Sequence, residues 1–508
     1  QSEPEPQPVL YRSWLACCCE LFPTISGGVG GTYYGTGSYW EYNRASFFGR
    51  INYNFNDRYL FQFTFREDGS SKFGADSRWG FFPSVAVGWR ISEEPFFPKN
   101  SVVSNLKFRA SWGQLGNENA LGKYDFLARI SSYNDMYMGY VQGAGSNPWT
   151  GSIARALENR SLKWETTDTK NIGFDFGLFG NHLNGNINYY INETRDLLIT
   201  RRIAPSAGLD NPTLNVGKMR NQGFELELNW NDKINDFEYN VGFNISTIAN
   251  KVVALANEDQ TIYGVGLKYG TEHFPTQTKV GKPIGAFYLY QADGIFQSLE
   301  EVQAHKNSKG ELLQPNAQPG DVRFKDMNGD GVIDEDDKTY SGTGIAKVEA
   351  NLNLGASYKG FDFSAVIGSA FGNKLYNGIR YYYEGMNSGS NFLKTTLNAW
   401  TPTNTKTDVP RAIYGDPNQN TRESTRFLEN GDFVRLRQVQ LGYTLPKALS
   451  KHIYCESIRF YVSAENVFTI TGYSGANPEF SQGVLNSGID RFTYPFSRSY
   501  TVGAQVSF

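Results

Sequence analysis

A chain of 508 residues with 15% aromatics (31 Tyr and 36 Phe), 53 Gly and only 19% charged residues leans toward sheet rather than helix. Mean hydropathy is −0.46, and no run reaches the roughly 18 to 20 apolar residues of a spanning helix, so any passage through a membrane requires strands that alternate between lipid and water. A net charge of −3 with scattered Lys and Arg leaves no electrostatic footprint for nucleic acid, and Cys17, Cys18, Cys19 and Cys455 match neither zinc ligation nor a disulfide framework.

Residues 1–45 read as an irregular or partial-strand region. The chain opens at Gln1 without a methionine or an export sequence in 1–20, so the true amino terminus is expected elsewhere. From residue 46 to 508 period-two alternation dominates, in segments near 47–55, 59–68, 85–91, 106–112, 172–178, 183–191, 224–230, 237–245, 350–358, 361–367, 434–443, 458–464 and 500–508. Tyr59, Phe61, Phe63 and Phe65 alternate with Gln62, Thr64 and Arg66; Phe224, Leu226, Leu228 and Trp230 alternate with Glu225, Glu227 and Asn229. At the carboxy terminus Tyr500, Val502, Ala504, Val506 and Phe508 are expected to face lipid, and Ser499, Thr501, Gly503, Gln505 and Ser507 a lumen. A sandwich interior would reject the carboxylates on such strands, whereas a water-filled lumen accepts them.

The spacing of these segments adds a second argument. Short connections (Asn56 to Arg58, Phe179 to His182, Lys359 with Gly360) alternate with long ones (roughly 113–171, 192–223, 246–349 and 368–433), as short periplasmic turns alternate with long extracellular loops in outer-membrane barrels. The expected fold is therefore all-β: an antiparallel transmembrane β-barrel, incomplete at about 13 to 16 strands of a larger barrel, with Phe508 at the periplasmic edge. In strand 434–443 Val434 and Leu436 share one parity and Val439, Leu441 and Tyr443 the other, which predicts a β-bulge at Arg435 to Arg437.

Six segments in order carry a family resemblance: 46–91, with its hairpin, the loop DGSSKFG and the strand FPSVAVGWR; 162–178; DVRFKDMNGDGVIDEDD at 321–337; DFVRLRQVQLGYTLP at 432–446; RFYVSAENVF at 459–468; and the aromatic terminus. Together they resemble the SusC/RagA family of TonB-dependent outer-membrane transporters, with 46–508 similar to the carboxy-terminal portion of its barrel. The resemblance implies a bacterial outer-membrane location amid lipid and a barrel of about 22 strands around a plug. It also implies a TonB-contacting amino-terminal segment and a SusD-like surface lipoprotein as lid. Nothing in the sequence corresponds to the plug or the TonB-contacting segment, so truncation is expected.

Asp326, Asn328, Asp330, Val332, Asp334 and Asp337 follow the twelve-residue calcium loop, with Gly331 at the sharp turn and a shorter aspartate in place of the final glutamate. A structural Ca2+ of modest affinity is expected there; an acidic turn without metal is the alternative. Tyr288 and Tyr290 near Asp293, and Tyr381, Tyr382 and Tyr383, suit stacking on sugar rings or peptide side chains, although tyrosines also furnish membrane interfaces. His182, His273, His305 and His452 fall in no metal-pair spacing and no nucleophile elbow is present, so an enzyme is not expected. The leading function is import of an oligosaccharide or peptide; a binding or adhesion barrel, or an inactive fragment, is the alternative.

Overall fold

The structure, a computed structural model, describes residues 39–98, 102–128, 130–132, 139–140, 149–150, 152–154, 156–201, 203–256, 260–269, 271–386, 391–452, 454–480 and 482–508. Most of the irregular region expected over 1–45, with Cys17, Cys18 and Cys19, lies outside them.

One 14-stranded antiparallel sheet forms the wall. Its strands, in chain order, are β1 (Arg44–Phe55), β2 (Tyr59–Ser70), β3 (Trp79–Arg90), β4 (Val103–Asn117), β5 (Glu165–Leu178), β6 (Leu183–Arg195), β7 (Lys218–Ile234), β8 (Phe237–Thr247), β9 (Val348–Tyr358), β10 (Phe361–Phe371), β11 (Phe433–Thr444), β12 (Ser457–Thr471) and β13 (Ser499–Ser507). Each pairs with the next, and Ala249–Ala254 extends the pairing beside β7. Every strand read from the sequence is present, and most run longer. In β5 the added residues 165–171 are polar on both faces, so alternation disappears while backbone pairing with β4 and β6 continues. Pro83, which lacks an N–H, sits where β3 has a partner in β2 but β4 pairing has not begun.

Connections 56–58, 91–102, 179–182, 235–236, 359–360 and 445–456 lie at one edge of the wall. Connections 71–78, 118–164, 196–217, 248–347, 372–432 and 472–498 lie at the other. The tight turns adopt the left-handed backbone that matches the twist of the flanking strands: Asn56 and Asp57 have φ of 51° and 53°, Lys359 and Gly360 of 45° and 88°. At Gly360 a Cβ would stand 2.7 Å from the Thr444 carbonyl oxygen, so only glycine fits this close approach.

Register sorts the two faces. Leu228, Phe243, Leu352, Ile367, Leu436 and Phe468 are successive cross-strand partners from β7 to β12 and make one apolar row. One residue away, Lys107, Asp175, Asn186, Glu227, Asn244 and Asn351 make a polar row on the opposite face, from β4 to β9. The apolar face stands open to its surroundings: Phe224 is 61% and Ile470 65% exposed.

The bulge is where the phase change places it. Val366 pairs with Gln438 but Ile367 with Leu436, so Arg437 is the extra residue. Opposite it on β12 the register also slips between Phe468 and Glu465. Arg435 and Arg437 then grip the two oxygens of Glu479 at 2.8 and 2.9 Å, tying connection 472–498 to the wall.

The long connections fold into two caps. Phe73, Leu121, Leu162, Trp164 and Leu198 form one apolar core with Phe82 of β3. A second unites Leu267, Phe287 and Leu289 from 248–347, Tyr376, Tyr381 and Phe427 from 372–432, and Ile489 from 472–498, all fully buried. Each such side chain contributes about 1.5–3 kcal/mol, enough to give these loops a fixed shape.

Candidate functional site

The polar face of the wall is built from alternation alone. On β6 the run from Asn184 to Asn192 places Asn184, Asn186, Asn188, Tyr190 and Asn192 on one face. Asn186 Nδ2 donates to Glu227 at 2.9 Å, and Asn351 Nδ2 donates to Asn244 at 2.9 Å. Arg109 Nε meets Asp175 at 2.6 Å and its Nη2 donates to Asn188 at 2.7 Å.

The second cap distributes the tyrosines expected to contact ligand. Tyr288 and Tyr290 lie on and just beyond Ala286–Leu289, so Phe287 and Leu289 enter the core while Tyr288 turns the other way, its ring 5.0 Å from Tyr340. Burial pushes the Tyr340 hydroxyl up to about 12. Tyr290 is 6% exposed, its hydroxyl donates to Glu335 at 3.2 Å, and the Arg422 guanidinium lies 4.9 Å from its ring centre. Tyr381, Tyr382 and Tyr383 end the helix Gly378–Tyr383. Tyr381 is fully buried and serves the core, whereas Tyr382 and Tyr383 are part-exposed and both lie 5.5 Å from Phe492. Phe492 is itself exposed, and it holds a φ of 59°, an unusual conformation for a bulky residue. Of the five tyrosines Tyr288, Tyr382 and Tyr383 are part-exposed, and Tyr382 and Tyr383 join the exposed Phe492 in one aromatic group.

A buried ionic junction lies beside Tyr381, whose ring centre is 6.1 Å from that of His273. Lys338 Nζ meets Glu423 Oε1 and Glu335 Oε2 at 2.6 Å each, and His273 Nδ1 is in contact with the other Glu423 oxygen. Burial works to raise the Glu423 carboxyl, but the His273 imidazole and the Lys338 charge outweigh it and hold the group at about 2. Burial likewise opposes the Lys338 charge, and Glu423 and Glu335 keep it above the ordinary lysine range. The junction crosslinks both ends of connection 248–347 to connection 372–432.

Residues Asp326, Asn328, Asp330, Val332, Asp334 and Asp337 form one tight loop, but oxygens of its Asp and Asn side chains turn to its own backbone. Asp326 accepts from the N–H groups of Gly329 and Gly331 at 2.6 and 2.9 Å, Asp330 from Val332 at 2.9 Å, and Asp334 from Asp336 at 3.0 Å. Asp337, fully buried, closes the loop by accepting from Met327 at 2.6 Å and Asp334 at 2.8 Å. Among the described residues no three Asp, Glu, His or Cys side chains converge as a metal-holding group.

Sequence reasoning did not reach the His273, Lys338 and Glu423 junction or Phe492, whose partners are far apart in the chain. The asparagine alternation of β6 was a readable signal for the polar wall.

An antiparallel meander with one apolar face, one polar face and its longest connections on one edge defines the wall of an outer-membrane β-barrel. A family model described as TonB dependent receptor-like, beta-barrel matches residues 20–467, and the chain belongs to that family, whose members are outer-membrane proteins. It is similar to the TonB-dependent receptor SusC of Bacteroides thetaiotaomicron, with 31% identity over 475 residues, 91% of this chain and 44% of that receptor. It is also similar to TonB-dependent receptor P3 of Formosa agariphila, with 31% identity over 477 residues, 92% of this chain and 46% of that receptor. A solved structure of the RagAB peptide transporter superposes with a TM-score of 0.75 at 27% identity, covering 96% of this chain and 50% of that one. These matches bear out the SusC/RagA likeness seen in the motifs. The chain spans about half the length of the relatives it matches.

Proposed function

We propose that this chain supplies wall and loop caps to an outer-membrane nutrient importer that takes up an oligosaccharide or peptide. The long connections face the cell exterior, Phe508 lies at the periplasmic edge, and the apolar face meets outer-membrane lipid. Cargo is captured among the caps beneath a SusD-like surface lipoprotein, and release into the periplasm draws on TonB through a segment outside this chain. The observation that carries the reading is the sorting of the longest connections, whose apolar side chains pool into two shared cores, to one edge of a wall that has one apolar and one polar face.

Uptake of fluorescently labelled oligosaccharides and peptides by cells carrying the native gene, against a deletion strain, tests it. Cargo-dependent fluorescence in the periplasm is expected. Labelling of the cell surface without internalisation would return the adhesion reading, and no labelling would remove the import reading. Calcium at 326–337 belongs to the same proposal on the strength of its oxygen-only donor spacing. Calorimetric titration that finds no uptake in the millimolar range removes it.

A further inference from the structure

The polar face of the wall contains a cavity of about 480 Å³, lined by Thr169 and Asn171 of β5, Tyr190 and Asn192 of β6, Asn221 and Glu225 of β7, and Ile248. It opens on the polar face, toward the end where the long connections begin. Gly223 lies between Asn221 and Glu225 on the same face and admits the Thr247 carbonyl oxygen, which a Cβ there would meet at 1.8 Å. Tyr190 pairs across from Gly223, and its hydroxyl donates to that same carbonyl at 3.0 Å, which fixes the ring at the cavity wall.

The chemistry of the lining is narrow. It holds three primary amides, one hydroxyl, one phenol and one carboxylate, with no lysine or arginine. Lys218 and Arg220, which begin β7, are both committed to Glu193. An anionic ligand finds no counter-charge in this lining. Asn171 and Asn192 each offer donors and an acceptor, which suits a hydroxyl because it also donates and accepts, while the Asn221 oxygen already accepts from Asn250 at 2.6 Å and leaves its Nδ2 as a donor. The Asn192 amide oxygen is buried without a hydrogen-bond partner. Such an orphan is costly to a folded protein, and the terminal torsion of asparagine is soft enough to turn that oxygen toward a donor inside the cavity.

We propose that this cavity is a binding subsite for a neutral, hydroxyl-rich ligand, one sugar residue of an oligosaccharide, held against Tyr190 by Asn171, Asn192, Asn221 and Glu225. The subsite rests on the import reading and narrows its cargo to carbohydrate. A peptide would also find partners here, its backbone for the amides and a lysine or arginine for Glu225, so the titration sets sugar and peptide against each other.

Full-length protein in detergent is titrated with neutral hexasaccharides (α-1,4-glucan, β-1,4-glucan, β-1,4-xylan and α-1,6-mannan) and with a lysine-bearing nonapeptide, reading saturation-transfer NMR and calorimetry. At least one hexasaccharide is expected to bind. Asn192→Leu and Asn171→Leu should each weaken it tenfold or more, and Thr169→Val several-fold, while Asn353→Ala, on the same face of the wall but outside the cavity, leaves it unchanged. Heat-modifiable gel mobility identifies variants that fold, and Thr169→Val, the mildest change, decides the matter if the leucine variants do not. Binding by none of the sugars, binding indifferent to the cavity variants, or peptide binding abolished by them overturns the subsite. Cellular uptake separates the two readings. Cargo import that proceeds unchanged with Asn192→Leu sinks the subsite alone, and absence of any sugar or peptide import sinks the import reading itself.

Discussion

Replacing Glu423 by glutamine removes one charge from the junction that ties the second cap together, and the structure sets the size of the effect. The carboxyl is held at about 2 against an ordinary 4.5, a difference equivalent to about 3 kcal/mol of stability at neutral pH. Because the folded-state pKa lies below the unfolded one, that contribution is complete above pH 4.5 and decays as pH falls toward 2. Glutamine keeps the shape but leaves Lys338, whose side chain is 4% exposed, with only the 74% exposed Glu335 as counter-charge. Breaking one side of a buried pair costs about 3–5 kcal/mol, so the two routes agree on a change near 3 kcal/mol, or about 100-fold in the opening equilibrium. Hydrogen exchange read by mass spectrometry should show that loss of protection in peptides covering Ala286–Leu289, Thr339–Thr343 and Lys374–Asn377, with β7 unaffected. The same peptides in the native protein should lose protection as pH falls from 4.5 to 2. Unchanged cap protection in Glu423→Gln, or equal loss in cap and wall, would refute the reasoning.

Leu354, at the centre of β9 between Val241 and Ala365, belongs to the apolar face, and Leu354→Arg should cost about 2–4 kcal/mol in a lipid bilayer while Asn353→Arg on the other face costs close to none; urea titration of protein refolded into vesicles compares them. Arg435→Gln removes charge-assisted bonds to Glu479 and Asn477 worth about 1.5–3 kcal/mol each, so limited proteolysis should cut 472–498 at least tenfold faster with the wall intact. Lys359 occupies left-handed backbone without glycine or asparagine to ease it, and Lys359→Asn should stabilise the hairpin by about 1 kcal/mol, seen as slower unfolding in denaturant.

The wall was legible in the sequence because its cause is local: each residue chooses between lipid and water by parity, and Phe224 to Trp230 states that choice without reference to any distant partner. The bulge at Arg437 was legible for the same reason, as a break in the parity of β11. Strand ends were not, because residues such as 165–171 on β5 are polar on both faces and only pairing with β4 and β6 extends the strand. The caps were opaque. Tyr381 and Tyr382 are neighbours in sequence with the same side chain, yet one is fully buried beside Phe427 and the other part-exposed beside Phe492. Nothing within ten residues distinguishes them, and the deciding contacts come from two other connections.

The second cap draws its core from three separate stretches of chain, and none of those side chains belongs to the outward apolar rows. Its sequence is therefore free to drift without disturbing how the strands sit in lipid, but only as a set. A graft of 248–347 alone would bring Leu267, Phe287 and Leu289 to a Tyr376, Tyr381, Phe427 and Ile489 shaped for other companions. Moving the second cap between relatives requires exchanging 248–347, 372–432 and 472–498 together, which predicts that natural recombination in this scaffold keeps the three in step.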